Sequence, residues 1–264
     1  MYRKNPNQRK FHGLVIGEKG TGKTSLIRTC PKPVLVHSFD PGGTDVLLEL
    51  KKQPDGSFKK ELPEGIYIQR FEEDEPSKPH AYIEWQTAIE EVRTSGLFKT
   101  LGTYVLDSTT TFSMSMLWQI LKKEGRINPG MSAPTDDKKQ GVRQQDWGQL
   151  LMHMISVTRS LMSVPCHTLI LGHVLRDKDE ITGGFVKCLA IQGQSKDQVP
   201  ILAEEYYVLL AKPTSDKLVR TLLTENSSEY RASTRMGARL FDKEEPADIR
   251  ALLKKAGFDW EDVK

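Results

Sequence analysis

Eight consecutive residues, Gly17-Glu18-Lys19-Gly20-Thr21-Gly22-Lys23-Thr24, constrain this chain more than any other stretch. They follow the pattern G-x-x-x-x-G-K-[ST]. Before them runs Phe11-His12-Gly13-Leu14-Val15-Ile16, a short apolar segment of strand type, and after them Ser25-Leu26-Ile27-Arg28 opens a helix expected to reach about Thr29. That strand–loop–helix setting gives the pattern its meaning as a phosphate-binding loop. Gly17, Gly20 and Gly22 allow backbone conformations that a side chain forbids. The amides then turn inward as an anion nest, backed by the positive end of the following helix. Lys23 is placed to reach the β- and γ-phosphates of a nucleotide, and the Thr24 hydroxyl to ligate Mg²⁺. A glycine-rich hairpin with a solvated lysine would leave the Lys23-Thr24 pair unexplained.

A nucleotide loop needs carboxylates opposite it, and two strands end in one. Pro33-Val34-Leu35-Val36-His37-Ser38-Phe39 reads as a second buried strand and stops at Asp40-Pro41-Gly42-Gly43. Asp40 either faces the γ-phosphate or only caps this turn, since Asp-Pro-Gly is common turn chemistry. Thr103-Tyr104-Val105-Leu106-Asp107 is a further apolar strand ending in aspartate. Downstream of a phosphate loop this is the Walker B arrangement, with Asp107 holding Mg²⁺ opposite Thr24. On its own such an aspartate often caps the next helix. A third buried strand, Pro165 to Leu171, ends at Gly172-His173.

The chain has 264 residues, enough for one large domain or one core with a small appendage. We divide it into a flexible basic arm at 1–10, a core at 11–240 and a small helical appendage at 241–264, with a short helix from Pro246 to Lys255. The net charge of +3 is too small to imply nucleic-acid binding without regard to its distribution. No apolar run approaches the length of a membrane span, and the N-terminus lacks the apolar stretch of a signal peptide. Cys30, Cys166 and Cys188 are widely spaced and read as reduced thiols, so the expectation is a soluble, cytoplasmic protein without a membrane partner.

Between these strands the pattern gives a surface loop or hairpin over 51–64, a strand over 66–71 and a helix from His80 to Val92. A further helix is expected over 111–121 and a long one over 145–162, whose Met and Leu stripe is core rather than a cofactor box. His153 on that helix is a surface histidine and not a metal ligand. The stretch 122–143 has no hydrophobic period and carries Lys122, Lys123, Arg126, Lys138, Lys139 and Arg143. Loops that long inside a domain are functional or disordered; this one is either a solvated loop or a DNA-contacting one. Residues 174–200 are polar and glycine-rich, with Arg176 and Lys178. Two strands then follow, at 206–210 and 218–223. Arg231 and Arg235 fall in a segment expected to be exposed.

The order of phosphate loop, strand ending in Asp40, strand ending in Asp107 and strand ending in Gly172-His173 resembles the RecA-like ATPase core. It is most similar to the short phage-encoded RecA-like proteins that bind and anneal single-stranded DNA, over roughly residues 11–235. The resemblance implies an α/β fold, a mostly parallel sheet flanked by helices with an antiparallel extension near the C-terminus. It implies ATP and Mg²⁺ as cofactors, with Gly17 to Ser25 around the triphosphate and Lys23, Asp40, Asp107 and His173 in the catalytic set. His173 would sense the γ-phosphate, and 122–143 and 174–200 would be the DNA loops. Single-stranded DNA, further copies of the chain in a ring or filament, and phage replication or recombination proteins are the partners implied. Arg231 and Arg235 are candidate fingers reaching into a neighbouring subunit. The chain departs from the family where a glutamate orienting the attacking water is usual: only Asp40 is offered, with glycines after Pro41. A small-molecule kinase, or an ATP-dependent switch or loader without rapid hydrolysis, are the alternative functions.

Overall fold

Strands whose two faces are both buried alternate apolar side chains to opposite layers, and this alternation builds the core. The computed structural model describes residues 10–75, 78–126, 142–178, 183–215, 217–237 and 239–258. In chain order the first half comprises β1 (His12–Gly17), α1 (Lys23–Leu26), β2 (Val34–Ser38), β3 (Glu49–Lys52), β4 (Phe58–Glu61), β5 (Ile66–Arg70), α2 (Ala81–Thr94), β6 (Thr103–Asp107) and α3 (Thr109–Lys123). The second half comprises α4 (Gln144–Leu161), β7 (His167–Lys178), β8 (Phe185–Leu189), α5 (Ser195–Leu202), β9 (Glu205–Pro213), β10 (Leu218–Leu223), β11 (Ser233–Thr234), β12 (Glu244–Pro246) and α6 (Ile249–Lys255).

The main sheet runs β12-β10-β9-β1-β7-β6-β2-β5. From β9 to β5 every neighbouring pair is parallel. The remaining pairs, β10 with β9 and with β12, β11 with β9 and β8 with β7, are antiparallel. The expected mostly parallel sheet with an antiparallel extension is therefore what forms, and β9 itself belongs to the parallel part. Within β1, Leu14 and Ile16 enter the layer built on Trp85, Phe112, Met116 and Leu150 from α2, α3 and α4. Val15 faces the other way, into a layer with Ile27, Val34, Leu47 and, from α6, Ile249, Leu252 and Leu253. The segment after residue 240 thus contributes a sheet strand and a core helix.

Local chemistry sets the boundaries that matter for the site. The helical segment after the phosphate loop is a single α-turn continued by a 3-10 turn over Ile27–Thr29, and Cys30 is already extended before Pro31. The expected helix at 246 starts later. Asp248 caps α6 by accepting from the Ala251 amide at 3.0 Å, while Pro246 lies on the edge strand β12, where its missing N–H costs least. The stretch 174–200 is not an open loop: β7 continues to Lys178 and returns as β8, and α5 follows with Pro200 inside it. Among the described residues no helix is long and apolar enough to cross a membrane. The expected arm at 1–10 lies outside the described residues apart from Lys10.

Candidate nucleotide site

In parallel α/β sheets ligands bind beyond the carboxyl ends of the strands, and four neighbouring strands here deliver the predicted residues to that edge. Gly17 on β1 is level with His173 on β7, and Ser38 on β2 is level with Asp107 on β6. The strand carrying His173 lies between the loop strand and the Asp107 strand.

The loop itself is closely fitted. Gly20 and Gly22 take φ of +82° and +96°, a region that only glycine enters at low cost. A side chain at Gly17 would meet the Leu209 carbonyl at 2.9 Å, so β9 fixes how the loop leaves β1. Lys23 is buried and folds back across the loop, donating to the carbonyls of Gly17 and Glu18, both at 2.9 Å. Burial lowers its pKa, partly offset by the negative charges of Asp107, Asp40 and Glu18. Thr24 donates its hydroxyl to Asp107 Oδ2 at 2.8 Å. Burial pushes the Asp107 carboxyl up to about 6 and the charge of Asp40 adds to the rise, against the Thr24 hydrogen bond.

Asp40 is more than a turn residue. Ser108 donates to its Oδ1 at 3.0 Å, the Thr111 hydroxyl donates to the same oxygen, and His173 Nε2 lies 3.3 Å from Oδ2. Burial raises this carboxyl, but hydrogen bonds from His173, Thr111 and Ser108 outweigh it and hold the pKa below the usual carboxylate value. His173 is seated in turn by its backbone amide, which donates to Thr110 Oγ1 at 3.1 Å. Asp40 and Asp107, two carboxylates, therefore share one site with one lysine and one histidine.

A donor set of one hydroxyl and one carboxylate suits a hard cation that keeps other oxygen ligands. Among the described residues no three His, Cys, Asp or Glu side chains group to hold a metal by themselves. Mg²⁺ at Thr24 and Asp107 would complete its shell with phosphate oxygens and water, and the pair fits that role. Beside the loop opens a cavity of about 630 Å³, lined among others by Lys19, Gly20, Thr21, Lys212 and Tyr230. Ser25 is half-buried.

Four contributors were not read from the sequence as site residues. Arg220 reaches over from β10 and donates Nε to the Thr21 carbonyl at 2.9 Å. Its signal is a charge inside the strand-type run Leu218 to Leu223. Ser108 and Thr111 belong to a hydroxyl-rich run directly after Asp107. Lys187 on β8 bonds Glu18 Oε1 at 3.0 Å and the Tyr230 hydroxyl at 3.0 Å, tying the β7–β8 hairpin to the loop.

The basic candidates separate. Arg126 is not on the surface: it is buried and forms a bidentate pair with Asp146, both bonds 2.5 Å. Asp146 also accepts from the Arg143 amide at 2.6 Å, so at the start of α4 it joins Arg126 to Arg143. A buried guanidinium needs such a partner, which is why it turns inward. Lys122 donates to the Pro79 carbonyl at 3.2 Å, Lys123 and Arg143 are exposed, and Lys138 and Lys139 lie outside the described residues. Arg176 and Lys178 are exposed on β7, with Arg176 stacked 3.9 Å above the Phe185 ring. Arg231 lines a surface cleft with Lys196 and Tyr206, and Arg235 donates to the Ile201 carbonyl at 2.8 Å. His153 is exposed on α4, as expected.

Fold and site together define a P-loop nucleoside-triphosphatase core of RecA-like architecture. More particularly, residues 9–236 match the family of AAA domains designated AAA_24, and the chain belongs to that family. No curated protein matches the sequence. Among solved structures the chain is similar to the KaiC-like protein PH0186 from the hyperthermophilic archaeon Pyrococcus horikoshii OT3, at 13% identity and a TM-score of 0.39, covering 84% of this chain and 82% of that one. The family implies nucleotide binding, typically with Mg²⁺.

Proposed function

We propose that this protein is an Mg²⁺-dependent ATPase that binds single-stranded DNA and works as an assembly of several copies in phage-type recombination, annealing or replication. The observation that carries the ATPase reading is the joining of Asp40 to His173, beside the Thr24–Asp107 pair. An ATPase site works by positioning and charge neutralisation. Lys23 brings positive charge to the phosphates, and Thr24 and Asp107 would hold Mg²⁺, which would supply further charge neutralisation. Asp40, with its carboxylate aimed by Ser108, Thr111 and His173, accepts from the attacking water in the role usually given to a glutamate. The cavity walled by Lys212 and Tyr230 has a volume suited to a nucleoside.

DNA binding is supported by continuity. The strand that carries His173 at the site carries Arg176 and Lys178 beyond it and returns through Lys187, which holds Glu18 of the loop. A nucleotide-dependent change at His173 has a rigid path to exposed basic groups. As fingers, Arg231 and Arg235 would act on a neighbouring copy. The test is the rate of ATP hydrolysis with and without single-stranded DNA, together with particle size. Stimulation by DNA in a large assembly is expected. Hydrolysis unaffected by DNA, with phosphoryl transfer to a small acceptor, would point instead to a kinase.

A further inference from the structure

The β3–β4 ribbon plays no part in the nucleotide site, and it is two-faced. In an antiparallel pair directly opposed residues share a face, and so do residues two apart on one strand. The pairs Leu50–Lys60 and Lys52–Phe58 therefore display four side chains on one face, and Glu49–Glu61 with Lys51–Lys59 occupy the other. On the second face every charge has a partner: Lys51 and Lys59 lie 3.8 and 3.4 Å from Glu61, and Glu49 pairs with Arg28 at 3.1 Å. On the first face neither Lys52 nor Lys60 has a carboxylate partner among the described residues. Leu50 and Phe58 are each 66% exposed there. Single exposed apolar residues are ordinary; an aromatic ring flanked by two uncompensated lysines on one strand face is a different matter.

We propose that the Leu50, Lys52, Phe58, Lys60 face binds single-stranded nucleic acid, with a base stacked on Phe58 and backbone phosphates on the two lysines. Aromatic rings set among cations are how proteins hold single strands without reading sequence. Two lysines without a carboxylate partner among the described residues, set beside an exposed ring, select a polyanion with π-faces over an apolar protein partner. The ribbon's root is tied to the segment that follows the phosphate loop. Arg28, in the 3-10 turn that follows the phosphate loop, bonds both Glu49 and the Val46 carbonyl. The inference rests on the single-strand-binding reading given above and adds a place for the strand that the basic residues of β7 do not supply.

The test is fluorescence anisotropy of labelled oligothymidylate with the full chain in a salt series, with Mg²⁺ and a non-hydrolysable ATP analogue. Phe58→Ala is expected to weaken binding about 10-fold. The Lys52→Ala/Lys60→Ala pair is expected to lower the slope of log affinity against log salt by about 1.4, at roughly 0.7 for each phosphate contact on a single strand. The opposite-face pair Lys51→Ala/Lys59→Ala should change neither reading more than about twofold. All the substituted side chains are exposed and outside both core layers, so the variants should melt with the parent chain. A parent that binds while all variants bind equally well overturns the hairpin proposal alone and leaves DNA binding intact. A parent that fails to bind at low salt overturns both. Variants that change particle size, but not anisotropy, make this face a contact between copies and overturn the nucleic-acid assignment.

Discussion

Thr24 and Asp107 are 83 residues apart in sequence, yet the hydroxyl of one donates to the carboxylate of the other at 2.8 Å. This bond holds the two oxygens that would face a metal side by side, and Asp107 sits high in pKa because it is buried with Asp40 nearby. The hydroxyl keeps its lone pairs while it donates, so Thr24 could ligate a metal without giving up this bond. Asp107→Asn keeps the hydrogen-bond shape but removes the charge. It should leave metal-free nucleotide binding within a few-fold and abolish the gain in affinity that Mg²⁺ brings. Titration calorimetry with an ATP analogue, with Mg²⁺ and with EDTA, checks this. An undiminished Mg²⁺ effect would remove Asp107 from the metal site.

Asp40 has both oxygens engaged by neutral donors or by His173, so its position is fixed before any nucleotide arrives. Asp40→Asn should lower kcat by about 10²–10⁴, the range for a positioned general base, while the affinity for ATP changes little. His173→Ala should lower kcat less, by about tenfold, because it removes one of three bonds that aim the carboxylate. Single-turnover hydrolysis beside equilibrium binding separates the two effects. Equal loss of binding and turnover would make Asp40 a structural turn residue.

Much of this site could be read from the chain because parallel strands place their last residues together. A strand that is apolar up to Asp107, or up to Gly172-His173, announces where its end lies. What escaped reading arises where the rules change along one element. β7 is buried through Gly172 and then leaves the core, so its second half pairs with β8 with solvent on one side, and the polar residues looked like a loop. α5 contains Pro200, whose ring and missing N–H argue against a helix interior. Arg126 was counted as a surface cation because Asp146, its partner, is 20 residues away across a segment without periodicity. Ion pairing across a gap leaves no pattern in a sequence.

Arg220 packs against the loop at its tightest point. A side chain at Gly22 would come within 2.6 Å of Arg220 Nε, and Gly22 has φ of +96°. Arg220→Ala should weaken ATP binding about tenfold, since a charge-assisted bond to the Thr21 carbonyl contributes about 1.5–3 kcal/mol. Gly22→Ala should weaken it further, because it adds backbone cost of about 1–3 kcal/mol to the clash. The double variant relieves the clash but not the backbone cost. It should bind better than the sum of the two losses predicts, by about 0.5–3 kcal/mol in a double-mutant cycle. Strict additivity would mean that the arginine and the loop are energetically independent.

The acid limit of stability follows from two histidines held neutral in the interior. Burial pushes His37 and His167 each down to about 3, from an ordinary 6.5. Below pH 6.5 the unfolded chain takes up a proton at each that the folded chain refuses, so stability falls as pH falls, by about 1.4 kcal/mol per pH unit for each group. Asp107 acts in the opposite sense: its folded pKa of about 6 lies above 3.8, so between these values the folded state binds the extra proton. Between about pH 6 and 4 the net is one proton, and stability should decline by about 1.4 kcal/mol per unit. Asp107→Asn removes the opposing group. Without nucleotide or Mg²⁺ it should be more stable than the parent at pH 7, and its acid decline should steepen to about 2.7 kcal/mol per unit. Urea melts at half-unit steps of pH measure both slopes. A shallower slope in Asp107→Asn than in the parent would show that Asp107 is already ionised in the folded apoprotein at pH 4.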